Sequence, residues 1–166
     1  MIIPKSYLPK LVSRVKDSKK LSATKREGLY DEIIRHCAWG VGSVDNHAID
    51  DINILEATKE AMRAAVLQLK DVDYALVDGT VKIPDLWCRQ RQVIRGDSKS
   101  ISIAAASIVA KVIRDEEMRM LHWIYPQYGW IRNKGYLTKE HCEAIQTYGT
   151  TPYHRMSFRK VGNYES

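Results

Sequence analysis

The sequence predicts an α/β fold in which few strands serve many helices. Three observations carry this. Residues 73–79, DYALVDG, alternate in polarity and end on a glycine, the pattern of a strand running into a turn. Two long stretches, 50–70 and 100–121, place apolar residues at helical spacing. Strand-like and helix-like segments alternate with no internal repeat, low-complexity tract or linker, so one domain over residues 1–166 is expected. Within it, 1–125 read as a sheet-and-helix core and 126–166 as a helical, basic-aromatic portion.

Near the start of the chain, Ser22 can cap a helix to about His36, with Leu29, Ile33 and Ile34 as its apolar stripe. AWGVGSV (38–44) reads as a short strand weakened by two glycines. Asp50 or Asp51 opens a helix to about Lys70, with Leu55, Met62, Val66 and Leu69 on one face. After the 73–79 strand, with Tyr74 and Leu76 alternating, QVIR (92–95) is another short strand, ahead of a Gly-Asp-Ser loop. The helix over 100–121 is rich in small residues near its start. Thr138 caps a last helix that Gly149 ends, and TPYHRMSFRK (151–160) forms an irregular basic tail. The strand count is low for so many helices.

Composition bounds the function. With 45% hydrophobic and 28% charged residues, the chain has the balance of a globular protein, which excludes a disordered one. Cys37, Cys88 and Cys142 are far apart, odd in number and without a CxxC pair, so neither a zinc site nor a disulfide framework is expected. The opening MIIPKSYLPKLVSRVK has no long apolar run and two early prolines, so neither signal peptide nor membrane anchor is expected, and a reducing cytoplasm is the simplest setting. The net charge of +6 is unevenly spread. Residues 1–27 hold eight Lys/Arg against Asp17 and Glu27, and residues 132–160 hold six against Glu140 and Glu143, while 28–131 carry a net −3. Basic ends around an acidic middle suit a polyanion held near a carboxylate cluster. Lysine-rich faces of an ordinary soluble protein would give the same totals. Nine of the fourteen aromatics lie between Trp123 and Tyr164, interleaved with the second basic segment, which suits stacking on sugars or bases as well as a core.

Two carboxylates stand out. Asp78 closes an apolar strand just before a glycine, at the sheet edge where ligand sites of open α/β folds collect, although Asp-Gly also simply opens turns. Asp115 follows Ile108 by seven residues and Val112 by three, so it shares the face those residues bury. A carboxylate there is costly unless paired or metal-bound; Lys111, four residues earlier, is one candidate partner. The run Ala104–Ser107 would let this helix approach a sheet closely and bring Asp115 towards Asp78. Two such carboxylates can hold Mg²⁺ or Mn²⁺, hard ions that take oxygen ligands and clamp phosphate. The five histidines lack ligand spacing with the cysteines.

Five segments, DSKKLSATKRE (17–27), ALVDG (75–79), GDSKSISIAAASIVAKVIRDEEM (96–118), YGWIRNKGYLTKEH (128–141) and YGTTPYHRMSF (148–158), stand in the order in which they occur in bacterial ribonuclease HII. Together they cover most of the chain, and the sequence resembles that family of type 2 ribonucleases H. The resemblance implies a ribonuclease H-like mixed sheet with flanking helices and a helical C-terminal portion. It implies endonucleolytic cleavage of the RNA strand of RNA–DNA hybrids and at single ribonucleotides embedded in DNA, by two-metal catalysis with Mn²⁺ or Mg²⁺ and four acidic residues. By the same resemblance Asp78 and Asp115 are catalytic metal ligands, Tyr136 of the KGY segment stacks on a sugar beside the cleaved junction, and Lys19 of DSKKL contacts a phosphate. The implied partner is hybrid duplex, or duplex DNA containing ribonucleotides, bound by a cytoplasmic monomer with no membrane involved.

One departure is specific. The family opens with a strand bearing DExGRG, which supplies the other two carboxylates and a turn that reads the ribonucleotide's 2′-hydroxyl. Residues 1–166 contain no DE followed by GRG, and MIIPKSYLP is similar to the end of the family's second strand and the loop after it. The first strand and most of the second are thus expected to be missing, which would leave apolar surface and backbone unpaired and the chain poorly folded alone. Three readings stay open: a ribonuclease HII whose start was placed at an internal Met, a truncated and inactive remnant that binds nucleic acid, and a small basic α/β protein with a non-nucleic acidic partner.

Overall fold

The computed structural model describes residues 1–15, 22–158 and 161. They form two compact units. The first comprises Met1–Ser43 and Thr58–Val112, the second Val44–Ala57 and Ile113–Ser166. Two long helices each contribute residues to both.

In the first unit, α1 (Leu8–Val15) and α2 (Ala23–His36) bury Leu11 and Val15, and Leu29 and Ile33, respectively. Sequence reading misses α1, which Pro4 starts by accepting the amides of Tyr7 and Leu8. Tyr7 stacks on His36 with ring centroids 4.6 Å apart, and both Tyr7 and Arg14 bond Glu32, so polar contacts and burial together seat α1 against α2. Ser22 caps α2 as expected, its hydroxyl accepting from the Lys25 amide at 3.4 Å.

The expected strand over 38–44 does not form; a single antiparallel bridge joins Ala38 to Ile2. Its backbone bonds to a side chain instead. Gln68 accepts from the Val41 amide at 3.3 Å and donates to the Val41 carbonyl at 2.6 Å. The two glycines explain the route: a Cβ on Gly42 would lie 1.9 Å from the Ala61 carbonyl oxygen, and one on Gly40 2.3 Å from that of Ala65. The segment therefore lies directly on the backbone of the next helix.

That helix, α3 (Asn46–Leu67), starts earlier than expected. Asp45, rather than Asp50 or Asp51, caps it, with its carboxylate accepting from the Ala48 amide at 2.8 Å. Asn53 interrupts it with a left-handed φ of 67° and caps the longer second part, accepting from the amides of Leu55 and Glu56. All four residues of the expected apolar face lie after this break. Leu55 is exposed, Met62 and Val66 are half-buried, and Leu69 is buried just beyond the helix.

β1 (Tyr74–Asp78) and β2 (Arg89–Val93) pair in parallel, Tyr74 opposite Arg89 and Asp78 opposite Val93. The second strand lies three residues earlier than QVIR suggests. Gln90 holds the connecting loop, bonding both the amide and the carbonyl of Ile83. Along β1, Val77 is buried while Tyr74 and Leu76 are exposed on the face that Asp78 shares. After the single turn α4 (Gly96–Lys99), the 24-residue α5 (Ile101–Ile124) buries Ile103, Ala104, Ala105, Ile108 and Val109 in this unit.

The second unit has its own core of Met118, Tyr128, Trp130, Ala144, Ile145 and Val161. A 3₁₀ turn (Pro126–Tyr128) and the short α6 (Trp130–Asn133) lead to α7 (Lys139–Tyr148), which Thr138 caps and Gly149 ends as expected. The 151–158 tail is irregular, as expected, and is tied to α3. Asn46 donates to the carbonyls of Pro152 and His154, and Asp50 accepts from the amides of Met156 and Ser157. No described helix is long and apolar enough to cross a membrane.

Candidate active site

Asp78 lies at the carboxyl edge of the parallel pair and is exposed. The Gly79 amide still bonds the Val93 carbonyl, at 3.1 Å, before the chain turns away at a φ of 95° that a side chain would strain. Asp78 Oδ1 accepts from the Gly96 amide at 2.7 Å, at the start of α4. Gly96 is buried, and a Cβ there would lie 2.5 Å from Ile103 Cδ1 and 3.1 Å from Asp78 Oδ1. The glycine thus lets α4, α5 and the carboxylate close on one another. Among the described residues the second oxygen of Asp78 has no hydrogen-bond partner, so it is open to a ligand.

Asp115 and Tyr136 belong to the second unit. Asp115 is half-buried on α5, as its helical spacing predicts. Its helix neighbours Arg114 and Met118 reach the turn that carries Tyr136: Arg114 Nη2 and Met118 Cε lie 3.5 and 3.3 Å from where a Gly135 Cβ would be. The structure therefore brings the Asp115 segment against the Tyr136 turn. Asp78 belongs to the first unit.

The turn itself is tightly specified. Lys134 and Gly135 are both left-handed, at φ of 52° and 80°. Buried Asn133 accepts from the Gly135 amide at 2.9 Å and donates to the Tyr128 carbonyl at 2.7 Å. The Tyr136 amide bonds the Asn133 carbonyl at 2.9 Å, and the Tyr136 carbonyl accepts from the Thr138 amide at 2.8 Å and from His141 Nδ1 at 3.0 Å. Tyr136 as a whole, by contrast, is 74% exposed. An aromatic ring turned to solvent on so constrained a backbone is suited to stacking rather than to core packing.

Sequence reasoning missed His141, His154 and Asp50, because none belongs to a recognisable ligand spacing. Both histidines are buried. Desolvation lowers the pKa of each, that of His154 to about 4 with the neighbouring His141 adding to the effect. Arg155, half-buried, has a guanidinium pKa lowered first by desolvation and then by nearby Arg114, so two cations share this part of the unit. Lys19 lies outside the described residues. As to a metal, Asp78 and Asp115 offer oxygen donors, which fit Mg²⁺ or Mn²⁺ in kind. Among the described residues no group of three or more His, Cys, Asp or Glu gathers to hold an ion.

Comparison with known proteins bears on this geometry. Residues 3–161 match the sequence profile of the family described as Ribonuclease HII. The chain is 48% identical over 160 residues to the Ribonuclease HII of Caldanaerobacter subterraneus subsp. tengcongensis, covering 95% of this chain and 65% of that protein. It is 51% identical over 150 residues to that of Rickettsia africae, covering 90% of this chain and 77% of the relative. The chain thus spans just under two thirds of the length of the first relative and about three quarters of the second. The fold matches a chain in the structure of the PCNA:RNase HII complex from Archaeoglobus fulgidus, with TM-score 0.80 and 28% identity over all of this chain and 86% of that one. It also matches the ribonuclease H2 of Pyrococcus horikoshii, with TM-score 0.75 and 24% identity over 98% of this chain and 86% of that one. With a family profile matched from residue 3 to residue 161, the chain belongs to the ribonuclease HII family.

Proposed function

We propose that this chain carries part of the machinery of an endonuclease that cleaves the RNA strand of RNA–DNA hybrids and single ribonucleotides embedded in DNA. The observation that carries the reading is Asp78, an exposed carboxylate at the carboxyl edge of β1 with one oxygen fixed by Gly96, in a chain of this family. Asp78 is the direct metal ligand, and Asp115 is a second ligand or the group that places the attacking water. A pair of divalent cations, Mg²⁺ or Mn²⁺, when bound would supply the charge that activates water and stabilises the leaving 3′-oxygen. Tyr136 stacks on the deoxyribose beside the cleaved junction, and Lys19 contacts a phosphate. Choice of RNA over DNA rests on the 2′-hydroxyl, both donor and acceptor. The partner is nucleic acid, and the protein acts as a cytoplasmic monomer.

Cleavage of a duplex with one embedded ribonucleotide tests the reading. Because residues 1–166 lack a DExGRG segment, the protein is assayed alone and with such a strand joined ahead of Met1. Metal-dependent cleavage is expected only from the joined protein and is lost in Asp78→Asn. Cleavage by the 166-residue chain alone would show that two further carboxylates are not needed. Salt-sensitive binding without cleavage by the joined protein would favour the inactive remnant, and no binding by a folded protein would favour a non-nucleic acidic partner.

A further inference from the structure

Beneath the Tyr136 turn runs a chain of hydrogen bonds whose proton positions are fixed by donor chemistry alone. Trp130 Nε1 can only donate, and it lies 3.2 Å from His141 Nε2. That nitrogen must therefore be the bare, accepting one. His141 then carries its proton on Nδ1, which faces the Tyr136 carbonyl oxygen at 3.0 Å. On the far side, the Thr151 amide donates to His154 Nδ1 at 2.9 Å, so His154 is protonated on Nε2. That Nε2 lies 3.2 Å from His141 Nε2 and donates to it, sharing the single lone pair there with Trp130 Nε1. The bonds run one way, from the Thr151 amide through His154 and His141 to the Tyr136 carbonyl. Bonds aligned in one direction polarise and strengthen one another.

The arrangement disfavours a second proton on either ring. An extra proton on His141 Nε2 would meet two N–H donors, and one on His154 Nδ1 would meet the Thr151 amide and leave only the Thr151 hydroxyl, 2.9 Å away, to accept it. Both rings are buried, at 3% and 5% exposure, among Tyr128, Trp130 and each other, so neither has water to turn to. The chain ends on the residue whose ring is exposed and whose backbone sits next to two consecutive left-handed residues.

We propose that His141, held in its Nδ1–H form by Trp130 and His154, is the positioning residue that fixes the Tyr136 backbone and so aims the exposed Tyr136 ring at its nucleic-acid partner. This rests on the reading of Tyr136 as a stacking residue. Without the imidazole bond, the Tyr136 carbonyl keeps, among the described residues, the Thr138 amide alone, a bond spanning two residues. His141→Asn can retain a donor near the Nδ1 position, whereas His141→Ala cannot.

Two measurements test it. In the 166-residue chain at neutral pH, imidazole ¹⁵N shifts should show His141 protonated on Nδ1 and His154 on Nε2, and amide exchange at Tyr136 should quicken in His141→Ala and return towards native in His141→Asn. A reversed His141 tautomer, or Tyr136 exchange untouched by His141→Ala in the folded protein, overturns the proposal. Should His141→Ala not fold, the tautomers of the native chain and Tyr136 exchange in His141→Asn decide in its place. The second measurement is binding of a duplex with one embedded ribonucleotide. His141→Ala should weaken it about as much as Tyr136→Ala, the double variant should be no weaker than Tyr136→Ala, and His141→Asn should restore most of it. Additive losses, or no rescue by Asn, overturn the proposal. A native protein that does not bind the duplex refutes only the nucleic-acid reading, and the tautomer and exchange results then decide the positioning role.

Discussion

The Gly96 amide donates to Asp78 Oδ1 across 2.7 Å, joining the end of β1 to the start of α4 and leaving the carboxylate one oxygen for a ligand. Gly96→Ala would place a methyl group 2.5 Å from Ile103 Cδ1 and 3.1 Å from that same oxygen. Ile103 is buried, so moving its Cδ1 aside means repacking the core around it, and the variant should lose about 1–3 kcal/mol in urea unfolding. Asp78→Asn keeps an acceptor for the Gly96 amide and should cost well under this, yet abolish metal-dependent cleavage by the joined protein. Equal stability loss in both variants would show that the charge on Asp78, rather than its geometry, holds this edge.

Asp50 connects the start of α3 to the 151–158 tail by accepting from the Met156 and Ser157 amides at 2.8 and 3.0 Å and from the Ser157 hydroxyl at 2.5 Å. Partial burial acts to raise its pKa, but the Ser157 hydroxyl and the two amides outweigh this and hold it below the usual aspartate value. Linkage sets the sign. A depressed carboxylate pKa contributes stability that is present above the unfolded value, near 3.8, and lost as pH falls through the lower folded value. Asp50→Ala should therefore cost about 2–3 kcal/mol at pH 7, a charge-assisted bond being worth roughly that, and should flatten the acid limb of an unfolding titration below pH 4. A variant with unchanged acid sensitivity would place that titration elsewhere.

The buried histidines act in a different window. His154 titrates at about 4 when folded against 6.5 in a solvated histidine, and His141 is lowered too, so the unfolded chain binds more protons between those limits. Stability should be full above pH 6.5 and fall as pH drops towards 4, by roughly 3 kcal/mol from His154 if the whole shift is expressed. His154→Gln, which cannot take up a proton, should remove most of that slope between pH 6.5 and 4, measured as the urea midpoint against pH. An unaltered slope would mean that other groups set the acid sensitivity in this range.

Where sequence reading succeeded and failed has physical causes. Ser22 and Thr138 were legible because a capping hydroxyl acts within three residues of itself. The place of Asp78 at the end of β1 was legible because strand alternation and the adjoining glycine are local, and β1 formed where alternation placed it. The 38–44 segment misled because its strand-like pattern is satisfied by a side chain, Gln68, twenty-seven residues beyond Val41. α3 misled because Asp50 resembles a cap but bonds residues more than a hundred positions away, while Asp45 and Asn53 cap the two parts of the helix. The proton chain under Tyr136 was illegible for the same reason: Trp130, His141 and His154 carry no motif spacing, and only the packed turn makes them partners.

Tyr136 supplies the sharpest separation of binding from folding. The residue is 74% exposed, so Tyr136→Ala should shift stability by no more than about 0.5 kcal/mol, as surface substitutions do. If the ring stacks on nucleic acid, the same variant should lose about 1–3 kcal/mol of binding to a duplex with one embedded ribonucleotide, the usual worth of one stacked contact. Tyr136→Phe retains the stacking face and should recover most of this. Salt titration adds a control: because the ring carries no charge, the slope of log affinity against log salt should be the same in Tyr136→Ala as in the native chain, whereas Arg155→Ala should reduce it if that guanidinium meets a phosphate. A Tyr136→Ala protein that is stable and binds as tightly as native would remove Tyr136 from the contact surface.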